Sequence, residues 1–123
     1  MRNRLYTCGV DVALTALGGR WRTIVLARIK EGTRGFAELR RQVPGISEKM
    51  LSASLRDLVK VGLIQRHVVR TRPLEVHYLL TDECKPIAPA LAKLNAWGET
   101  LARHRGLTIA ERPPIAALRK QKP

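Results

Sequence analysis

The run Ser47-Glu48-Lys49-Met50-Leu51-Ser52-Ala53-Ser54-Leu55-Arg56-Asp57-Leu58-Val59-Lys60-Val61-Gly62 decides how this chain is read. Ser47 is suited to cap a helix, because its hydroxyl can accept one of the backbone N–H groups that a first turn leaves without a partner. On a wheel of about 3.6 residues per turn, Leu55 and Leu58 fall within roughly 40° of Leu51. Lys49, Ser52, Ala53, Arg56 and Lys60 take the opposite side, and Gly62 ends the helix. Taken alone, this is an amphipathic helix with a solvated basic face.

Its surroundings change that reading. Leu63-Ile64-Gln65-Arg66-His67-Val68-Val69-Arg70 is β-branched and partly alternating, as a strand is. Thr71-Arg72-Pro73-Leu74 makes a turn with a basic tip, and Glu75-Val76-His77-Tyr78-Leu79-Leu80 pairs back as an antiparallel hairpin. His67 and His77 then face each other across it as surface residues.

Upstream, residues 11–17 form a short helix with Val10, Leu14 and Leu17 on one side, stopped by Gly18-Gly19. Residues 20–30 follow, with Trp21, Ile24, Val25, Arg28 and Ile29 at helical spacing, closed by Glu31-Gly32-Thr33. A third helix over residues 36–42 buries Phe36, Leu39 and Val43 before the tight turn Pro44-Gly45. Three helices, a short turn, a basic-faced helix and a hairpin with arginines at its tip make a winged helix-turn-helix, α+β and mainly helical.

The last helix is expected from Thr81-Asp82, with Pro86 absorbed early and Pro89 kinking the helix or delaying its start. Ile87, Leu91, Leu94, Trp97 and Leu101 recur along it at helical spacing. That seam suits a partner helix, hence a C-terminal dimerisation helix; the alternative is packing onto the chain's own core. The organisation is then a basic N-terminal arm over residues 1–9, the winged domain over 8–105, and a basic, flexible tail over 106–123.

Composition bounds the function. The chain has 123 residues, enough for one compact domain, and 45% are hydrophobic, enough for a core. Its 23 Lys plus Arg against 10 Asp plus Glu give a net charge of +13, which attracts polyanions. No window approaches about 18 uninterrupted apolar residues, and no apolar run follows the N-terminal arginines, so a soluble, cytoplasmic protein without membrane contact is expected. Cys8 and Cys84 lie 76 positions apart with no CxxC pair, so neither a metal site nor a cofactor is expected. Nucleotide-loop, metalloprotease and hydrolase motifs are missing, and no nucleophile with its base can be assembled, so an enzyme is the distant third reading.

From Cys8 to about Gly98 the chain resembles the HxlR-type winged helix-turn-helix regulators, relatives of the MarR-like repressors. The resemblance rests on Cys8-Gly9-Val10, Ala13-Leu14, Gly18-Gly19-Arg20-Trp21, residues 36–41 and residues 44–51. It continues through Leu55-Arg56-Asp57-Leu58, residues 62–66, residues 76–81 and Ala96-Trp97-Gly98. Three departures stand out: Cys8-Gly9 where Cys-Pro is usual, Thr81-Asp82-Glu83-Cys84 where Thr-Pro-Leu-Gly often opens the last helix, and Ser52-Ala53-Ser54 in the base-reading stretch. The last of these leaves the operator sequence open.

The resemblance implies a dimer built from the first and last helices, with the fourth helix in the DNA major groove, most often as a repressor. The interface would hold Leu14, Leu17, Ile87, Leu91, Leu94, Trp97 and Leu101. It also makes Cys8 a candidate redox sensor, since this thiol senses oxidants or electrophiles in several members. Arg2, Arg4 and the following helix N-terminus would favour its reactive thiolate form, and a bridge to Cys84 of the partner subunit is conceivable. The plain alternative is a small buried hydrophobe.

The charge pattern agrees with a DNA partner. Residues 20–72 hold thirteen basic and four acidic side chains. Phosphate contacts position a protein and base-edge contacts specify sequence. Arg34, Arg40 and Arg41 are backbone candidates; Ser47, Lys49, Ser52, Ala53 and Arg56 belong to the reading helix; Arg70 and Arg72 would reach a flanking minor groove or phosphates. Trp21 and Trp97 read as packing rather than as stacking platforms. The leading function is a dimeric, sequence-specific regulator on double-stranded operator DNA, open to a small-molecule or oxidant inducer. The alternative is a small basic RNA-binding or ribosome-associated winged-helix protein.

Overall fold

In the computed structural model, which describes residues 4–114, the elements run α1 (Gly9–Leu17), α2 (Arg20–Lys30), α3 (Phe36–Gln42), α4 (Glu48–Val61), β1 (Ile64–Thr71), β2 (Leu74–Leu80) and α5 (Ile87–Arg105). The two strands pair antiparallel, with His67 opposite His77 as the alternation requires. The register slips between Val68 and Arg70, so β1 carries an extra residue near the tip. Such a bulge bends the ribbon and sharpens its twist.

Local chemistry explains α4. The Ser47 hydroxyl accepts from the Met50 N–H at 3.0 Å, and Gly62 ends the helix at φ 88°, a left-handed conformation that suits glycine. Leu51, Leu55 and Leu58 are buried together with Val25, Leu26 and Ile29 of α2, Leu39 and Val43 at α3, Ile46 and Ile64. Burying a leucine of this kind contributes about 1.5–3 kcal/mol, so these three alone commit the helix to one rotation about its axis. Its outer face is settled with it.

The base of the wing is pinned to the helical part of the domain. The Tyr78 N–H donates to the Arg34 carbonyl at 2.9 Å, tying β2 to the loop before α3. The Thr81 hydroxyl donates to the Gly62 carbonyl at 2.8 Å and the Thr81 N–H to the Leu63 carbonyl at 3.1 Å. Thr81 is thereby spent on closing the hairpin and does not cap a helix. This corrects the expected start of the last helix: residues 82–86 form turns, and α5 begins at Ile87. Pro89 then sits in the first turn, where its missing N–H leaves no bond unmade.

Beyond Gly106 the chain turns back on the domain. The Leu107 N–H donates to the Ala102 carbonyl, and Arg112 reaches the junction of α2 and α3. There Arg112 pairs with Glu31 at 3.0 Å and donates to the side-chain oxygen of Gln42, whose amide nitrogen donates to the Pro113 carbonyl. Gln42 is 0% exposed, so both ends of its amide are matched by the tail. Arg28 completes the junction, bonding the Gln42 carbonyl at 3.2 Å and Glu31 at 2.8 Å. Within the segment expected to be a flexible tail, Arg112 and Pro113 thus make hydrogen bonds to the domain. Its basic end, Arg119-Lys120-Gln121-Lys122, lies outside the described residues, as does Arg2 of the arm.

Candidate nucleic-acid interface

The core leucines turn Lys49, Arg56 and Lys60 of α4 outward, and all three are exposed. Ser52 and Ala53, between them, are half-buried. Ser47 is exposed at the helix start, but its hydroxyl is engaged as the cap. The short side chains of Ser52 and Ala53 let another molecule come close to the α4 backbone at mid-helix, with cations on either side of that approach, while Ser54 is buried.

The other expected contacts divide by how free they are. Arg34 is exposed in the loop leading to α3, and Arg72 is exposed at the wing tip. Arg40 is exposed but paired with Glu48 at 2.8 Å, and Arg70 is paired with Glu75 at 2.9 Å. Both pairs are solvent-accessible, worth about 0–1 kcal/mol, and a phosphate can replace either carboxylate. Arg41 is exposed on α3 beside Arg40. His77, expected at the surface, is largely covered, with Nε2 at 2.9 Å from the Glu75 carboxylate; His67 is exposed.

Sequence reasoning missed Arg66. It is exposed on β1, directly opposite Tyr78, and lines a hollow with Arg56 and Lys60 of α4. Its only sequence signal is the alternation of the strand, which puts it on the same face as Ile64, two positions earlier.

The proposed interface residues separate in the same way. No residue of α1 is buried, and Leu14 is 63% exposed. On α5, Trp97 is 63% and Leu94 52% exposed, and Leu101 is half-buried. Leu91, expected on a seam between chains, is withdrawn into the chain's own core, and Leu17 and Ile87 pack against that core. Trp21 packs there as expected, with the Arg20 guanidinium 4.7 Å from its ring centroid; Trp97 does not.

Cys8 is the exposed N-cap residue of α1 and makes no side-chain capping bond. Arg4, expected beside the thiol, is instead engaged with Asp11 at 3.4 Å and Thr15 at 2.9 Å, and lies over the Tyr6 ring. Cys84 is buried, and burial, followed by the charge of Glu83, pushes its thiol above the ordinary value. Among the described residues no group of three or more His, Cys, Asp or Glu is placed to hold a metal ion, and no helix is long and apolar enough to cross a membrane.

Helices α3 and α4 joined by a tight turn, followed by a two-stranded wing, define a winged helix-turn-helix protein. A family model for the HxlR-like helix-turn-helix matches residues 16–105, and the chain belongs to that family. An uncharacterized HTH-type transcriptional regulator of Methanothermobacter thermautotrophicus is 39% identical over 100 residues, covering 81% of this chain and 76% of its own. The HTH-type regulator YdeP of Bacillus subtilis is 35% identical over 92 residues, covering 75% and 72%. Among solved structures, the redox regulator HypR in its reduced form superposes with a TM-score of 0.69 at 32% identity, covering 78% of this chain and 94% of that one. The reduced form of the transcriptional regulator YodB from B. subtilis gives 0.62 at 28%, covering 76% and 92%. The chain is thus a DNA-binding transcriptional regulator of the helix-turn-helix type.

Proposed function

We propose that this regulator acts as a homodimer that binds a specific operator in the cytoplasm, and that it represses by occupying promoter DNA. The observation that carries the reading is α4: its leucines are locked into the core while Lys49, Arg56 and Lys60 are exposed around a stretch of small residues. In this reading Lys49, Ser52, Ala53 and Arg56 meet base edges. Arg34, Arg40, Arg41 and the Ser47 end of α4 meet backbone, and Arg70 and Arg72 meet the flanking groove.

Dimerisation is supported by α1. A nine-residue helix is too short to persist alone in water, yet none of its residues is buried within the chain. A second copy placed against Leu14, Leu94 and Trp97 supplies the missing burial. Two recognition helices then meet half-sites about one helical turn apart.

Cys8 is the proposed point of redox control. It is an exposed thiol at the start of the helix assigned to the interface. Similar structures include HypR in reduced and oxidized forms. The test is fluorescence anisotropy with duplex DNA from the gene's own promoter, random duplex and single-stranded RNA as competitors, before and after peroxide. Promoter duplex should compete at least tenfold better than the other two. Equal competition by RNA would favour the RNA-binding alternative and overturn the reading.

A further inference from the structure

After α5 the chain returns to the domain at one polar point. Leu107 to Glu111 are exposed, and within residues 107–114 Arg112 alone is half-buried. Arg112 donates to the Gln42 side-chain oxygen and pairs with Glu31, while the Gln42 amide nitrogen donates to the Pro113 carbonyl. Gln42 is fully buried, so without this segment both ends of its amide would be left unmatched, at a cost a chance surface contact does not carry. The junction of α2 and α3 is therefore a built seat for residues 112–113.

The seat lies on the helix-turn-helix itself. Gln42 ends α3, and Ser47, the cap of α4, is five positions on, at most about 18 Å away along the chain. Beyond Pro114 the sequence carries Arg119, Lys120 and Lys122 and no acidic residue. Counted from Pro113, Arg119 and Lys122 are six and nine positions out, spans of up to about 20 Å and about 30 Å, enough to meet the start of α4. Counted from Gly106, where α5 ends, they are 13 and 16 positions out, so the seat roughly halves their tether and raises their effective concentration beside α4. We propose that residues 119–122 are a basic arm on the phosphate backbone of operator DNA, a contact added to those of α4 and the wing, and that the Arg112–Gln42 seat delivers it there. The arm lies beyond residues 16–105, the part that matches the family model. Its position rests on the reading of α4 as the DNA-facing helix.

The test is a cycle of four full-length proteins: wild type, the neutralised arm (Arg119→Gln, Lys120→Gln and Lys122→Gln together), the emptied seat (Gln42→Leu with Arg112→Ala), and both sets combined. Circular dichroism checks that each folds, and fluorescence anisotropy follows promoter duplex over a range of salt. If the emptied seat fails to fold, Gln42→Leu alone takes its place, since it removes both Gln42 side-chain bonds without changing charge. Neutralising the arm should flatten the slope of log K against log salt by about 0.9 for each phosphate released, and weaken binding at least about fivefold at about 0.1 M salt. Emptying the seat keeps all three arm cations yet should weaken binding about threefold. With the seat already empty, neutralising the arm should cost at most about twofold.

An unchanged slope and affinity on neutralising the arm, with Arg56→Ala still weakening operator binding, would overturn the arm and leave the DNA reading of α4 standing. Losses that simply multiply around the cycle would overturn the delivery, because any damage to α3 from Gln42→Leu falls equally on both backgrounds. A wild type that binds no duplex would overturn the arm and the reading of α4 together.

Discussion

Arg112→Ala tests the junction that ties the tail to the domain. In the structure the Arg112 guanidinium serves two acceptors, the Glu31 carboxylate at 3.0 Å and the side-chain oxygen of Gln42. The Gln42 bond carries the larger consequence, because Gln42 is 0% exposed and water cannot replace the lost donor without opening the site. A buried acceptor left unsatisfied costs about 1–3 kcal/mol. The Glu31 pair adds less: its side chains are 31% and 25% exposed, and Glu31 keeps Arg28 at 2.8 Å, so about 0–1 kcal/mol is appropriate. A total loss of about 1–4 kcal/mol should lower Tm by roughly 4–16 °C for a domain of this size.

Gln42→Leu separates the two contributions. It replaces the buried amide with a side chain of similar volume, so that no polar group waits for the tail. In that background Arg112→Ala should cost under about 1 kcal/mol, leaving a coupling of about 1–2 kcal/mol between positions 42 and 112. Urea unfolding at fixed protein concentration, followed by circular dichroism, measures all four corners of the cycle. Strict additivity would refute the reasoning, because it would mean that Gln42 does not depend on Arg112.

The remaining predictions concern function. If about six phosphates are neutralised per dimer, log K for duplex DNA should fall against log salt with a slope near −5, and a slope near zero would exclude a phosphate-contacting surface. Arg56→Ala should cost about 1–3 kcal/mol on operator DNA and little on random duplex, whereas Arg72→Ala should weaken both by similar factors; identical profiles would show the two roles wrongly assigned. Leu101→Glu should give monomers in sedimentation and lose operator affinity, since a carboxylate buried between helices is costly without a partner; a monomeric wild type at micromolar concentration would contradict the dimer. Iodoacetamide should label exposed Cys8 well before Cys84, whose burial and raised thiol pKa both slow attack, and equal labelling rates in the folded protein would refute that contrast. For stability the sign follows from a raised folded pKa: the neutral Cys84 thiol contributes fully below its ordinary value of 9.0, and that contribution is lost as pH rises through the folded value.

The helix-turn-helix and its wing were legible because their determinants lie within a few residues of one another. Ser47, the three leucines and Gly62 define α4 without help from elsewhere, and alternation alone sets His67 opposite His77. Where a residue had a long-range partner to satisfy, the sequence misled. Thr81 reads as a helix cap, but its hydroxyl goes to the Gly62 carbonyl, so α5 starts six residues later. Leu91 fits the apolar seam of α5, yet the packing of that helix against the domain puts it in the core and leaves Leu94 and Trp97 outside. Gln42 looks like a polar residue at the end of a surface helix; only packing shows that it is sealed and matched by a tail 70 positions away. The hollow of Phe36, Val59, Arg66 and Tyr78 draws on four elements and has no local signature at all. Helix periodicity and turn chemistry act over one or two turns, so sequence determined the elements and their faces; which faces meet, and which polar groups they seal, was decided only when the core closed.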